Sequence, residues 1–349
     1  LAEISQFQEY HYFSIVPDQS RLNGFKIDTG DHLLTIEEAI AMSLHNIKTR
    51  ALVDLSGNSM AVPSAEDVAL AVPPYSSQEA RQAFLDALHL ANYSNILGLF
   101  DEGTAVAVNY LSNVKLSKED SKTVKEYNIV FDMGDGSTKA TLFSVTPSIS
   151  GALTLEIEAI GYDEQFGGMT FTQEIHKLLL ELLKEKTGLL LEEVPHKVLA
   201  RLLEAAEKTK LVLSANNDYH VHLEALYDDS DFKAVVKREQ FEDLIENYAS
   251  RVIEPILKAK GDLKFSEIKS IILAGGSTRV PFVLKQLYDL VGEEKISKNV
   301  NADESCALGT TNLGFRRKST LGASDIIVVD KALHNFEIEI NGADRMSVV

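Results

Sequence analysis

Residues 24–34, GFKIDTGDHLL, alternate apolar and polar positions around a polar turn, the pattern of a β-hairpin. The spacing then becomes helical. TIEEAIAMSLHNIKTRAL carries its apolar residues at intervals of three and four, and Thr35 followed by Glu38 predicts a capping box at its start. EDVALAVPPYSS reads as a strand ended by Pro73 and Pro74. SQEARQAFLDALHLA reads as a helix capped by Ser76 or Ser77, with Leu85, Leu88 and Ala91 on one stripe. NILGLFDEGTAVAVNYLS predicts a short strand, a turn at Asp101-Glu102-Gly103 and a helix.

Residues 112–127 are polar and poor in large apolar groups, so they are expected to form a surface excursion and a lobe boundary. NIVFDMGDGSTKATLFSV opens on an apolar strand that breaks into a small, acidic loop, and LTLEIEAIGYDEQFGG looks like an antiparallel partner. A helical region runs from about Thr170 to Ser214, interrupted near Gly188 and Pro195. Residues 220–259 predict two short strands and a helix, and IKSIILAGGSTRVPFVLKQLYDLV predicts strand, glycine turn and helix. Strands alternating with helices indicate an α/β architecture.

Charge narrows the partners. The 34 Lys and Arg against 52 Asp and Glu give a net charge of −18, which disfavours nucleic acid and anionic membranes. No run approaches the roughly 18 apolar residues of a membrane span, so no membrane insertion is expected. A single cysteine, Cys306, excludes an intrachain disulfide and a cysteine-based metal site. Asn92-Tyr93-Ser94 is a glycosylation sequon, permissive of a secretory location. The start lacks Met and any secretory leader pattern, so the chain reads as a mature or trimmed segment.

Two sites share one design, an apolar strand followed by glycines and hydroxyls. The first is Asp132-Met133-Gly134-Asp135-Gly136-Ser137-Thr138. The second is Gly275-Gly276-Ser277-Thr278-Arg279-Val280-Pro281. Glycines let backbone N–H groups approach phosphate oxygens, and a helix start beside Arg279 would add positive potential. Asp132, at the strand end, suits the water shell of Mg²⁺. Neither loop fits GxxxxGK[ST] or GxGxxG. On a helix, Glu207, Lys210 and Ser214 would form one polar stripe beside Leu203, Ala206 and Leu213. The Asp-Thr-Gly at 28–30 has no second copy to pair with, as an aspartic protease needs, and reads as a hairpin turn.

Read in order, these motifs resemble the ATPase domain of the 70-kDa heat-shock chaperones, on the actin-like fold. The resemblance runs through ALAVPPYSSQEARQAFLDALHLANYSNILGLFDEGTAVAVNYL, FDMGDGST, EQFGGMTFTQEI, AAEKTKLVLSAN, LAGGSTRVP and VNADESCALG. Asp-Met-Gly-x-Gly-Ser-Thr, Leu-Ser-Ala-Asn and Asn-Ala-Asp-Glu-Ser are closest to the 170-kDa glucose-regulated chaperones of the endoplasmic reticulum lumen, fungal forms included. That resemblance implies ATP or ADP with Mg²⁺ as ligands. It also implies unfolded polypeptides as clients, and the lumenal 70-kDa chaperone BiP as the partner whose nucleotide exchange is promoted. The alternative it leaves open is an ATP-driven foldase with its own hydrolysis cycle.

The same resemblance divides the chain into an actin-like nucleotide-binding domain (1–320) with lobe I at 1–126 and 298–320 and lobe II at 127–297. A linker at 321–330, containing DIIVVD, and the start of a β-sandwich at 331–349 would follow. It implies catalytic roles near the metal and γ-phosphate for Glu102, Asp132 and Ser137. Nucleotide contacts are implied for Gly134, Gly136, Gly168, Glu207, Lys210, Ser214, Gly275, Gly276, Ser277, Arg279 and Asp303. The match begins well inside the fold, so the first phosphate loop, the catalytic lysine and the first strands of lobe I are expected to lie outside this sequence. Departures from the family pattern are Gly103 for a coupling proline, Lys139 for a metal-proximal aspartate, Leu211 for an adenine-stacking arginine, and the added charge of Asp135. They imply binding more than hydrolysis, at most a slow ATPase.

Overall fold

In a computed structural model, the structure describes residues 14–20, 24–56, 66–113, 125–147, 152–190, 193–298, 300–318, 326–331, 336–340 and 344–348. Most of the surface excursion and the first half of the expected linker lie outside these residues. Strand β1 (Ser14–Pro17) pairs antiparallel with β2 (Phe25–Asp28), which turns back into β3 (Leu33–Thr35) as the alternation predicts. Asp28 accepts the Gly30 N–H at 2.8 Å, so Asp-Thr-Gly is a turn. Helix α1 (Ile36–Ser56) opens with the predicted capping box: Thr35 N–H donates to Glu38 at 2.7 Å, and Glu38 N–H donates to Thr35 Oγ1 at 3.2 Å.

Strands β4 (Asp67–Val72) and β5 (Asn95–Asp101) form a parallel pair joined by α2 (Gln78–Leu90), whose N-cap is Ser77. The expected turn at 101–103 is absent. β5 runs directly into α3 (Glu102–Asn113), so Glu102 is the first residue of a helix at a strand tip.

Among the described residues the largest sheet has six strands. β6 (Glu126–Met133), β7 (Thr138–Pro147) and β8 (Leu153–Asp163) form an antiparallel meander, while β11 (Ile268–Ala274) joins β6 in parallel, with β12 (Ile296–Ser297) beyond it. The last strand, β13 (Ile326–Val329), falls in the segment expected as linker and pairs parallel with β8, Ile326 opposite Leu153. One sheet face packs against α4 (Gly168–Thr187), α5 (His196–Leu213), α6 (Arg238–Ile245), α7 (Ala249–Lys260), α8 (Pro281–Val291) and the hairpin β9 (Asp218–Tyr227) with β10 (Ser230–Lys237). The other face buries α3 and α9 (Ser305–Lys318) through Val106, Val130, Phe143, Ile272 and Leu313. Burial on both faces explains the continuous apolar runs of β6 and β11.

Gly188, at φ +74°, ends α4, and Pro195 precedes α5, the interruption expected from sequence. The single helix expected within 220–259 is instead two, α6 and α7, separated by a 3₁₀ turn at Glu246–Tyr248. Residues 336–340 and 344–348 form an antiparallel hairpin, β14 and β15.

Candidate functional site

The ends of β6, β7 and β11 meet the N-termini of α3 and α4. The first glycine loop closes on itself, Gly134 N–H donating to Ser137 C=O at 3.0 Å. This four-residue connection sets Asp132 directly opposite Lys139 across the β6–β7 ladder. The Lys139 ammonium lies 3.2 Å from the Asp132 carboxylate and 2.5 Å from Glu102, and the residue is only 7% exposed. Burial opposes its charge, yet Asp132 and Glu102 overcome that and hold its pKa above the ordinary lysine value. Ser137 is buried at the loop's end, and Thr138 Oγ1 donates to Phe166 C=O at 2.7 Å.

The Gly134 carbonyl joins three segments. It accepts Gly168 N–H at 3.0 Å and Ser277 Oγ at 2.8 Å, bringing the start of α4 and the second glycine loop against the first. Met169 N–H adds a bond to Asp135 C=O at 2.8 Å. From α5 the Lys210 ammonium reaches Gly168 C=O at 3.1 Å, Glu207 at 2.7 Å and the Asp135 carboxylate at 3.5 Å. Thr172 Oγ1 donates to the same Glu207 oxygen at 2.5 Å. Ser214 lies one turn beyond, its hydroxyl donating to Lys210 C=O of its own helix. Leu211, beside Lys210, is 61% exposed.

The second loop does not pass straight into an α-helix. A 3₁₀ turn spans Gly276–Arg279, and α8 follows from Pro281. Thr278 Oγ1 donates to Gly275 C=O at 2.7 Å and Gly275 N–H to Ala302 C=O at 3.0 Å, which pins the loop to the segment preceding α9. There Asp303 pairs with Arg279 at 2.6 Å, both half-exposed.

The glycines differ in what surrounds them. A Cβ on Gly275, at φ +81°, would lie 2.3 Å from Met133 C=O and 2.5 Å from Asp132. One on Gly168 would lie 2.4 Å from Ser277 Oγ. A Cβ on Gly276 would meet nothing nearer than 3.9 Å, on Gly134 nothing nearer than 3.8 Å, and on Gly136 nothing within 4 Å. The neighbouring protein atoms therefore do not require the absence of a side chain at these three positions.

The carboxylates expected near a divalent ion are engaged by a cation of the protein itself. Asp132, expected in the water shell of Mg²⁺, and Glu102, expected beside it, are both occupied by Lys139. Among the described residues no three His, Cys, Asp or Glu side chains converge as a possible metal site. Nearby, burial, with Glu102 and Asp132 adding to it, pushes the Cys306 thiol pKa up to about 12, which disfavours the thiolate at neutral pH.

Several participants were not legible as such in the sequence. Thr172 supports Glu207 one turn into α4, and its i+4 spacing from Gly168 was the available signal. Arg81 pairs with Asp101 at 2.5 Å. Burial nonetheless raises the Asp101 pKa against the pull of Arg81. Thr104 Oγ1 donates to Asp330, after β13, at 3.3 Å. No local pattern links residues so far apart in sequence.

A mixed sheet backed by helices, with two glycine loops hydrogen-bonded at its strand ends, is the architecture of the Hsp70 actin-like ATPase domain. Residues 2–347 match the family described as Hsp70 protein, and the chain belongs to that family. It is similar to the heat shock protein 70 homolog LHS1 of Candida glabrata (34% identity over 90% of this chain and 36% of the relative) and of Saccharomyces cerevisiae (31%, 92% and 37%). It is also similar to the hypoxia up-regulated protein 1 of Xenopus laevis (32% identity over 96% of this chain and 51% of the relative). The chain thus spans between about a third and half of these relatives' own length.

Proposed function

We propose that this chain is the nucleotide-binding part of a large chaperone of the endoplasmic reticulum lumen. ATP or ADP would be held between a lobe I at 1–126 and 298–320 and a lobe II at 127–297, ahead of a linker at 321–330 and a β domain from 331. The observation that carries the reading is the Ser277–Gly134 bond, which puts two glycine loops on one rim with Lys210 and Arg279 beside them. Open space at Gly134, Gly136 and Gly276 supports close approach of a ligand. Mg²⁺ would arrive on the phosphates rather than be held by a carboxylate cluster.

The nucleotide acts here as a structural ligand more than a fuel. Glu102, Asp132 and Ser137 occupy the catalytic positions of the resemblance, but two of the three are tied to Lys139, which supports slow hydrolysis. A ligand that favours one lobe arrangement stabilises it, and a partner that selects that arrangement then binds more tightly. The partner proposed is BiP, whose ADP release the ATP-loaded protein accelerates, and unfolded polypeptides are the clients. Stopped-flow release of a fluorescent ADP from BiP tests this with the full-length protein. Faster release with the ATP-loaded protein supports the exchange role, whereas release no faster than in buffer refutes it.

A further inference from the structure

A carboxylate pair beside a phosphate loop needs a cation, because two half-buried negative charges repel each other and repel an incoming phosphate. In this molecule a cation is already built in. Lys139 is held by Glu102 and Asp132, and its backbone is fixed in β7 with Asp132 opposite on β6 and Tyr162 opposite on β8. Its side chain cannot leave without stranding both carboxylates. One positive and two negative charges leave the triad with a single negative charge. A divalent ion approaching these carboxylates would meet one oxygen of each already engaged and an ammonium at ion-pair distance.

We propose that Lys139 is the resident cation of this site and that it makes the binding of nucleoside di- and triphosphates independent of a divalent metal. The inference rests on the nucleotide reading above and adds to it the way the site balances charge. A strand-borne lysine cannot dissociate, so the two carboxylates stay compensated at any free Mg²⁺ level. Asp135 does not undo this, because it is exposed and already faces the Lys210 ammonium.

The test uses the full-length protein and titrates ATP by calorimetry in excess Mg²⁺ and again in excess EDTA. The wild-type dissociation constant should change by less than about threefold, whereas Lys139→Asp should weaken binding by at least about tenfold in EDTA and regain it in Mg²⁺. Lys139→Arg, which keeps the charge, should behave as wild type and shows that charge rather than side-chain identity matters. A wild-type loss above about tenfold in EDTA overturns the proposal. So does a Lys139→Asp variant with the wild-type ratio. If Lys139→Asp does not fold, the wild-type and Lys139→Arg ratios decide alone. Absence of ATP binding in either buffer refutes the nucleotide reading itself, a result distinct from binding that depends on Mg²⁺.

Discussion

The two glycine loops look alike in sequence and differ in why they contain glycine. In the second loop Gly275 is enclosed, with positive φ and a main-chain carbonyl where a Cβ would go, whereas its neighbour Gly276 faces open space. In the first loop both Gly134 and Gly136 have room for a side chain. One glycine is demanded by the fold and three are demanded by nothing in the described protein. Where packing does not explain the absence of a side chain, close approach of the proposed nucleotide would, and that separates residues that build the site from residues that leave it open.

The two kinds of glycine should separate most widely at Gly275. Gly275→Ala forces a side chain into Met133 C=O at a φ that disfavours it, and should destabilise the protein by about 3 kcal/mol in a denaturant titration. Gly276→Ala should stay within about 1 kcal/mol of wild type. Equal losses at the two positions would erase the distinction. Gly276→Asp inverts the pattern. It should melt near wild type yet weaken ATP binding at least about a hundredfold, because it places a carboxylate where phosphate or ribose must approach. Unchanged affinity by calorimetry would remove Gly276 from the site.

Gly103 provides a third case. It is buried in the first turn of α3, and a Cβ there would lie 2.0 Å from Thr141 Oγ1 on β7. Gly103→Ala should cost about 2 kcal/mol by thermal or denaturant melting. Combined with Thr141→Gly, it should cost less than the two single changes added together, by about 1 kcal/mol. Strict additivity would mean that α3 shifts rather than clashes. The same contact explains why the proline of the family pattern is not accommodated at this position.

The smallest effect lies away from both loops. His176 is buried, its ring N–H donating to Leu199 C=O at 3.1 Å, and burial lowers its pKa below 6.5. The unfolded chain therefore takes up the proton first, so His176 contributes stability above pH 6.5 that is lost as pH falls from there toward the depressed folded value. His176→Gln should flatten the fall in melting temperature between neutral and mildly acidic pH by the equivalent of no more than about 1 kcal/mol. An unchanged slope would show that other groups carry it.

What could be read from the sequence was local. The Thr35–Glu38 capping box, the Ser77 cap, the break at Gly188 and Pro195, and both glycine loops depend on residues within a turn of one another, so pattern reveals them. The Lys139 bridge was not legible. It needs the β6–β7 register to bring Asp132 opposite and a direct strand-to-helix passage to deliver Glu102, and the expected turn at 101–103 hid that passage. The segment 326–329 reads as an apolar linker, and hydropathy alone does not show that such a segment pairs as an edge strand. That pairing comes from the register with β8, Ile326 opposite Leu153.

Hydrogen exchange on the full-length protein, with and without ATP, reads out whether the two glycine loops hold the nucleotide. Bound nucleotide should slow exchange at the amides of residues 133–137 and 275–279, and leave the β9–β10 hairpin unchanged. ATP that binds by calorimetry without protecting either loop would contradict the account.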